Sequence, residues 1–296
     1  MQLPNQHTPV LPVLALLVTA TLWGIFWFPL RWLDSLGLSG ILATFLIYLG
    51  TLFVSLPLLI VRRAEWRVQP GLMLGIMLSS GWTNTAFILA IIDGEIMRVI
   101  LLFYLSPLWS TLLARVILKE HLSTRAYLTL VLAVTGAVLI LWDPKLGMPW
   151  PSSNADWLAL SSGFAFAFTN LFTHMAHKVS IRTKAVATLL GVILVAGVVI
   201  VFGTAPVVWP DSQTTLSAMS LGLFMISVMT FCVVYGVTHL PVHRSAIILL
   251  FEVVVAAISS YLLTAERMDM LEWAGGMIVV FAAYLAATQL PHTPEV

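Results

Sequence analysis

The feature that most constrains this chain is a duplication. An apolar stretch runs from Arg98 to Glu120. A second stretch with the same Arg-to-Glu separation runs from Arg244 to Glu266, offset by 146 residues. Each is followed by another apolar run of about one membrane thickness. A repeat of this size is settled before any local reading, because it makes two like units. Duplicated sets of hydrophobic spans occur in many transporters, which hold the solute between the halves.

Composition says what those units dissolve in. The chain is 60% hydrophobic and 9% charged, where a soluble domain carries about 25% charged residues. Its mean hydropathy is +1.00. A core built from 296 residues cannot bury that much apolar surface from water, so the solvent must be lipid. A net charge of +1 gives no reason to expect nucleic acid. The single cysteine, Cys232, excludes an intrachain disulfide and a cysteine metal cluster. No positive segment precedes the first span, so no cleavable signal is expected.

Ten segments are long and apolar enough to cross a bilayer: 11–33, 38–61, 70–92, 96–118, 123–142, 157–178, 184–205, 214–238, 242–264 and 271–290. Short connections make neighbours antiparallel. A Pro-, Ser- and Gly-rich stretch over 143–156 separates two sets of five, giving units 1–148 and 149–296. A cytoplasmic N-terminus puts ten cations inside: Arg62, Arg63, Arg67, Arg115, Lys119, Arg125, Lys178, Arg182, Lys184 and Arg244. It leaves four outside: Arg31, Arg98, Lys145 and Arg267. That bias predicts both termini in the cytoplasm. Five is odd, so the second set enters from the opposite face. The repeat is therefore expected to be inverted, with a midplane cavity opened to each side in turn.

Short motifs sharpen the reading. Leu118-Lys-Glu120-His-Leu122 is matched, less closely, by Thr264-Ala-Glu266-Arg-Met268. Gly275 stands nine residues past Glu266, where the first copy has Thr129. Ser106-Pro107 sits within the fourth span, and Glu252-Val253 holds the same register in the second copy. The pattern resembles the EamA family of the drug/metabolite transporter superfamily over nearly the whole chain. Its aromatic richness is similar to the YddG type of bacterial aromatic amino-acid exporters. The resemblance implies an all-α integral membrane fold of ten helices in a 5+5 inverted repeat. It further implies a multi-pass protein of the bacterial inner membrane, a single chain as the working unit, and no cofactor. The solute implied is a small amphipathic molecule, aromatic amino acids foremost, with no chemical conversion.

Several residues are candidates for the pathway. Glu252 is the one acid deep in a span, and intramembrane ionisable groups are functional candidates by default. Ser245, Glu252 and Ser259 share a helix face. Glu252 has a functional reading, as a proton-coupling group or a partner for a solute ammonium, and beside it a structural one, as a protonated acid bonded between helices. Asn170, near the middle of the sixth span, can donate and accept; it is either a solute ligand or interhelical glue. His174 lies further along the same stripe. Asn84 is assigned to the cavity and Trp82, nearly opposite it, to packing. Trp23 and Trp27 stand one turn apart near mid-span. Tyr104 and Trp109 flank Pro107, and Tyr235 lies one turn from Phe231. Aromatic walls suit flat apolar or cationic solutes. Trp66, Trp142, Trp150, Trp157, Trp209 and Trp273, at span ends, read as interfacial belts. Pro107 removes a backbone donor and is expected to bend the fourth helix.

Other classes are weighed on the same residues. A sugar phosphate or nucleotide sugar needs several midplane cations, and no Lys or Arg stands near a span centre. A membrane enzyme needs a metal cluster or acid–base pair, and no nucleotide loop, HExxH or GxSxG occurs. A receptor or assembly scaffold is the third class.

Overall fold

The structure is a computed structural model that describes residues 10–38, 40–94, 96–120, 123–142, 151–203, 208–263 and 270–288. The second-copy motif over 264–268, with Glu266, lies outside the described residues, as does 143–150 of the linker with Trp150. Every regular element among the described residues is helical. That is what lipid demands, since each backbone donor and acceptor must be satisfied within its own segment.

The first half contains α1 (Val10–Ile25), α2 (Trp27–Ser35), α3 (Gly40–Gly50), α4 (Leu52–Val61), α5 (Pro70–Asp93), α6 (Ile96–Phe103), α7 (Ser106–Val116) and α8 (Thr124–Leu141). The second contains α9 (Asn154–Met175), α10 (Ile181–Phe202), α11 (Ser212–Leu221), α12 (Ser227–His239), α13 (Val242–Leu249), α14 (Phe251–Leu263) and α15 (Met270–Thr288). A π-helical turn, Gly222–Ile226, joins α11 to α12. Among the described residues seven stretches are long and apolar enough to span a bilayer, and α3 with α4, bent by 50°, makes an eighth if read as one. The helix α9 falls short of that mark. For α9 the reason is its polar content: Ser162, Thr169, Asn170 and Thr173 all point into the protein and are buried. A helix surrounded by other helices need not be apolar on every face.

The helices pack as two like halves. α5 lies along α9, and its counterpart pair, α12 and α1, lies together in the same way. α9 crosses α6 and α7, as α1 crosses α13 and α14. α3 meets α10 and α8 meets α15, each joining equivalent helices of the two halves. The largest apolar cluster gathers Leu16, Ala133, Val234, Ile248 and Ala282, from α1, α8, α12, α13 and α15.

Breaks recur at equivalent places. Between α6 and α7 the chain turns at Tyr104 and Leu105, and Pro107 stands in the first turn of α7. A proline ring clashes with the carbonyl four residues earlier. That carbonyl, Phe103 O, is turned toward Gly163 of α9, where an added Cβ would sit 2.7 Å away. In the second half the chain breaks at Leu250 with no proline present. The break is thus a property of the repeat, and Pro107 fits it rather than creates it. Ser245 and Ser259 consequently fall on separate helices, α13 and α14. At Thr51 the bend has a local cause: its hydroxyl bonds to Tyr48 O at 2.6 Å and competes with the backbone ladder.

The helices α8 and α15 cross at two glycines. A Cβ on Gly136 would lie 2.8 Å from Gly275 O, and one on Gly275 would lie 2.7 Å from Gly136 O. The partner of Gly275 is therefore Gly136, two turns beyond Thr129. Gly275→Leu is expected to force the crossing apart at a cost of about 1–3 kcal/mol. Thermal unfolding in detergent measures it, and an unchanged midpoint would mean that the crossing relaxes freely.

Two of the cations counted on the cytoplasmic side are buried inside the protein. Lys184 is fully buried on α10, and Arg244 is buried on α13, donating to Ala286 O at 2.7 Å and Ala287 O at 2.9 Å. Among the end tryptophans, Trp142, Trp157, Trp209 and Trp273 are exposed, as a belt requires. Trp66 instead packs against the cluster of Met73, Ile76, Ala176, Val179 and Ala187.

Candidate functional site

A cavity opens between the halves. The first half lines it with Trp23 of α1, Tyr48 of α3, and Ser80, Thr83 and Asn84 of α5. The second supplies Phe166, Thr169, Asn170 and Thr173 of α9, Thr188 of α10, and Thr230, Val233, Val234 and Val237 of α12. Its volume is about 50 Å³. A water needs roughly 10–15 Å³ on that measure, so the space takes a few waters and no amino acid. Admitting a solute requires its walls to move.

The polar wall is mostly self-satisfied. Tyr48 OH donates to Asn84 Oδ1 at 2.9 Å, and Asn84 Nδ2 donates to Ser80 O at 3.0 Å. Ser80 Oγ bonds to Thr188 O at 3.1 Å, tying α5 to α10. Thr169 Oγ1 bonds to Ser79 Oγ at 2.8 Å, tying α9 to α5. The exception is Asn170, 3% exposed, whose Nδ2 is buried with no partner. A buried amide donor without an acceptor is costly and calls for an explanation.

A run of rings leads back from the lining residues Trp23 and Phe166. Trp23 meets Phe166 edge-on at 5.9 Å, Phe166 meets Phe103 at 5.7 Å, and Phe103 meets Tyr104 at 5.6 Å. Tyr104 OH donates to Glu252 Oε1, while Oε2 of the same carboxyl is buried without a partner. Glu252 lies in the first turn of α14, where the helix dipole favours an acid. Its carbonyl presses on α1: a Cβ on Gly24 would lie 2.7 Å from Glu252 O. The carboxyl therefore sits behind the aromatic wall, beside the cavity rather than in it.

The sequence candidates divide accordingly. Trp23, Asn84 and Asn170 line the cavity; Tyr104 and Glu252 form the pair behind it. His174 Nδ1 lies 3.0 Å from Val237 O, just past the lining. Trp27 points elsewhere, donating to Ser259 Oγ at 2.9 Å with Arg31 5.3 Å from its ring. Trp109 packs edge-on to Phe164 at 5.3 Å, and Tyr235 faces His239 at 4.4 Å; neither lines the cavity. Trp82 is 42% exposed and donates to Ser161 Oγ, so it lies on the outside rather than packed. Tyr48, Phe166 and the threonines went unnoticed in the sequence, because a lone Tyr or Thr in an apolar run carries no periodic signal.

Polar contacts tie the halves together at both ends of α5 and α9. At one end Glu65 accepts from Ser180 N at 3.1 Å, Thr183 Oγ1 at 2.7 Å and Arg62 Nη1 at 2.9 Å, while His243 pairs with Glu120 at 2.9 Å. At the other Arg98 pairs with Asp156 at 3.0 Å and donates to Ser152 Oγ. Partial desolvation pushes the Glu65 carboxyl up, but its donors outweigh that and hold it at about 2, against an ordinary 4.5. A depressed carboxylate stabilises fully above its ordinary range, and the contribution is lost as pH falls toward about 2. Hydrogen-exchange protection over 62–68 and 177–183, corrected for intrinsic exchange, is expected to fall between pH 4.5 and about 2. Glu65→Gln should show lowered protection already at neutral pH; protection in the parent that does not change with pH would remove the contribution of Glu65.

The comparisons with known proteins agree on the architecture. The model of the EamA-like transporter family matches twice, over residues 10–142 and 153–288. A solved structure titled "Crystal structure of protein" superposes with a TM-score of 0.77 at 15% identity, over 93% of this chain and 96% of that one. At that identity the likeness concerns the fold alone. None of the curated proteins compared with the chain matches it.

Proposed function

The chain belongs to the EamA-like transporter family, membrane transporters of small solutes, and on that premise we propose that it exports small amphipathic solutes, aromatic amino acids foremost. Movement is by alternating access around the cavity between two inverted five-helix repeats, 1–148 and 149–296. Ten spans cross the bacterial inner membrane, with both termini in the cytoplasm. The observation that carries the reading is a cavity lined by both halves, with the Trp23 and Phe166 rings and the Asn84 and Asn170 amides in its lining. Rings stack on a flat side chain, and amides serve the polar end of an amino acid. A cavity too small for its solute is what an occluded state between two access states holds. The polar contacts at the two ends of α5 and α9 are then the closures that open in turn.

The test is transport in liposomes over a panel of labelled amino acids and aromatic amines, with and without a pH gradient. The expected result is protein-dependent movement of aromatic amino acids ahead of small polar ones. If no member of the panel moves, the reading fails.

A further inference from the structure

Lys184 has a chemistry that the transport reading leaves unused. Its side chain is fully buried. Nζ donates to Thr173 O at 3.0 Å and to Thr238 Oγ1 at 2.7 Å, and none of the ion pairs among the described residues includes it. An ammonium carries three donors, so one remains. A buried charge is ordinarily paired, and neutral acceptors compensate it only in part.

The ammonium stands directly behind the cavity wall. Thr173, which accepts from it, lines the cavity, as does Val237, next in chain to Thr238. Thr188, one turn along α10, lines the cavity as well. On the same side, one turn before Thr173 on α9, Asn170 presents its unpartnered Nδ2. Both incompletely matched groups are donors, so what is missing is an acceptor, and beside an unpaired cation that acceptor is an anion. We propose that Lys184 and Asn170 together receive the carboxylate of the transported solute. This rests on the cavity being the transport site. One ammonium and one amide match a monoanion. A phosphate dianion would need a second cation, and the other buried one among the described residues, Arg244, is committed to the Ala286 and Ala287 carbonyls. The flexible four-carbon stem lets Nζ leave Thr238 and follow the carboxylate as the walls move.

The experiment compares matched pairs that differ only in the carboxylate: phenylalanine with phenylalaninamide, and leucine with leucinamide. Transport in liposomes and ligand-dependent melting in detergent are both read, for the full chain and for Lys184→Met. The parent is expected to prefer each acid over its amide by about tenfold or more, and Lys184→Met to erase that preference. Asn170→Leu, the second variant should Lys184→Met fail to fold, is expected to weaken it in the same direction. Equal handling of acid and amide by the parent overturns the proposal while leaving the transport reading intact, as does an undiminished preference in the variants. If nothing is transported, the transport reading falls and melting decides the site. An acid-selective shift lost in Lys184→Met upholds the carboxylate site, and no such shift overturns it.

Discussion

Asn170→Leu is expected to slow transport by about tenfold or more while leaving the purified protein as stable as the parent, or more stable. The two halves of that result come from one fact. Nδ2 of Asn170 is buried at the cavity wall without an acceptor. Leaving a buried donor unsatisfied costs about 1–3 kcal/mol, so the resting state gains when the amide is replaced by an apolar group of similar size. The solute loses a donor it would have used. Asn84→Leu is the contrasting case. Its amide is bonded on both sides, to Tyr48 OH and to Ser80 O. Removing it strands the part-buried tyrosine hydroxyl and is expected to lower stability by about 1 kcal/mol. Melting temperatures and initial transport rates, measured on the same preparations, separate the two. If Asn170→Leu unfolds more easily and transports normally, Asn170 is interhelical glue.

Glu252→Gln is expected to flatten the dependence of transport rate on pH and to reduce the maximal rate by about tenfold or more. The carboxyl joins two broken helices. Its donor, Tyr104, comes from the turn between α6 and α7, and Glu252 follows the break at Leu250 that leads into α14. A group placed at the breaks of both halves is well situated to report its charge state to both. Tyr104→Phe keeps the acid and removes the donor, so the pH response should shift rather than vanish. Combining the two substitutions should give a coupling energy of about 0.5–3 kcal/mol, as expected for groups in contact. A pH–rate curve in Glu252→Gln that overlays the parent would assign the acid a structural task, holding the two breaks together in its protonated form.

The helical, lipid-embedded character and the two-part architecture were legible in the chain. The motif around Glu120 and the shared register of Ser106-Pro107 and Glu252-Val253 led to the family to which the chain belongs. Glu252 was singled out by simple rarity. Individual cavity residues were harder to read. In a soluble helix the polar face is the wet one, and periodicity finds the core. In lipid that contrast is weak, because the outward face is as apolar as the packed one. Trp27, Trp109 and Tyr235 could therefore be placed near mid-span but not oriented, and they turn away from the cavity, to Ser259, Phe164 and His239.

By itself the sequence determined the solvent, the secondary structure and the duplication. These follow from hydrophobic content and span length, which are sums along the chain and insensitive to what packs beside them. Only the tertiary structure decided that Lys184 is buried, that Gly136 rather than Thr129 meets Gly275, and that Tyr104 reaches Glu252. Each of these depends on which residues from distant helices arrive at the same point. Thr173 and Thr238 come from two other helices, and only their arrival turns the fourth residue of α10 from a cation at a span end into a buried donor.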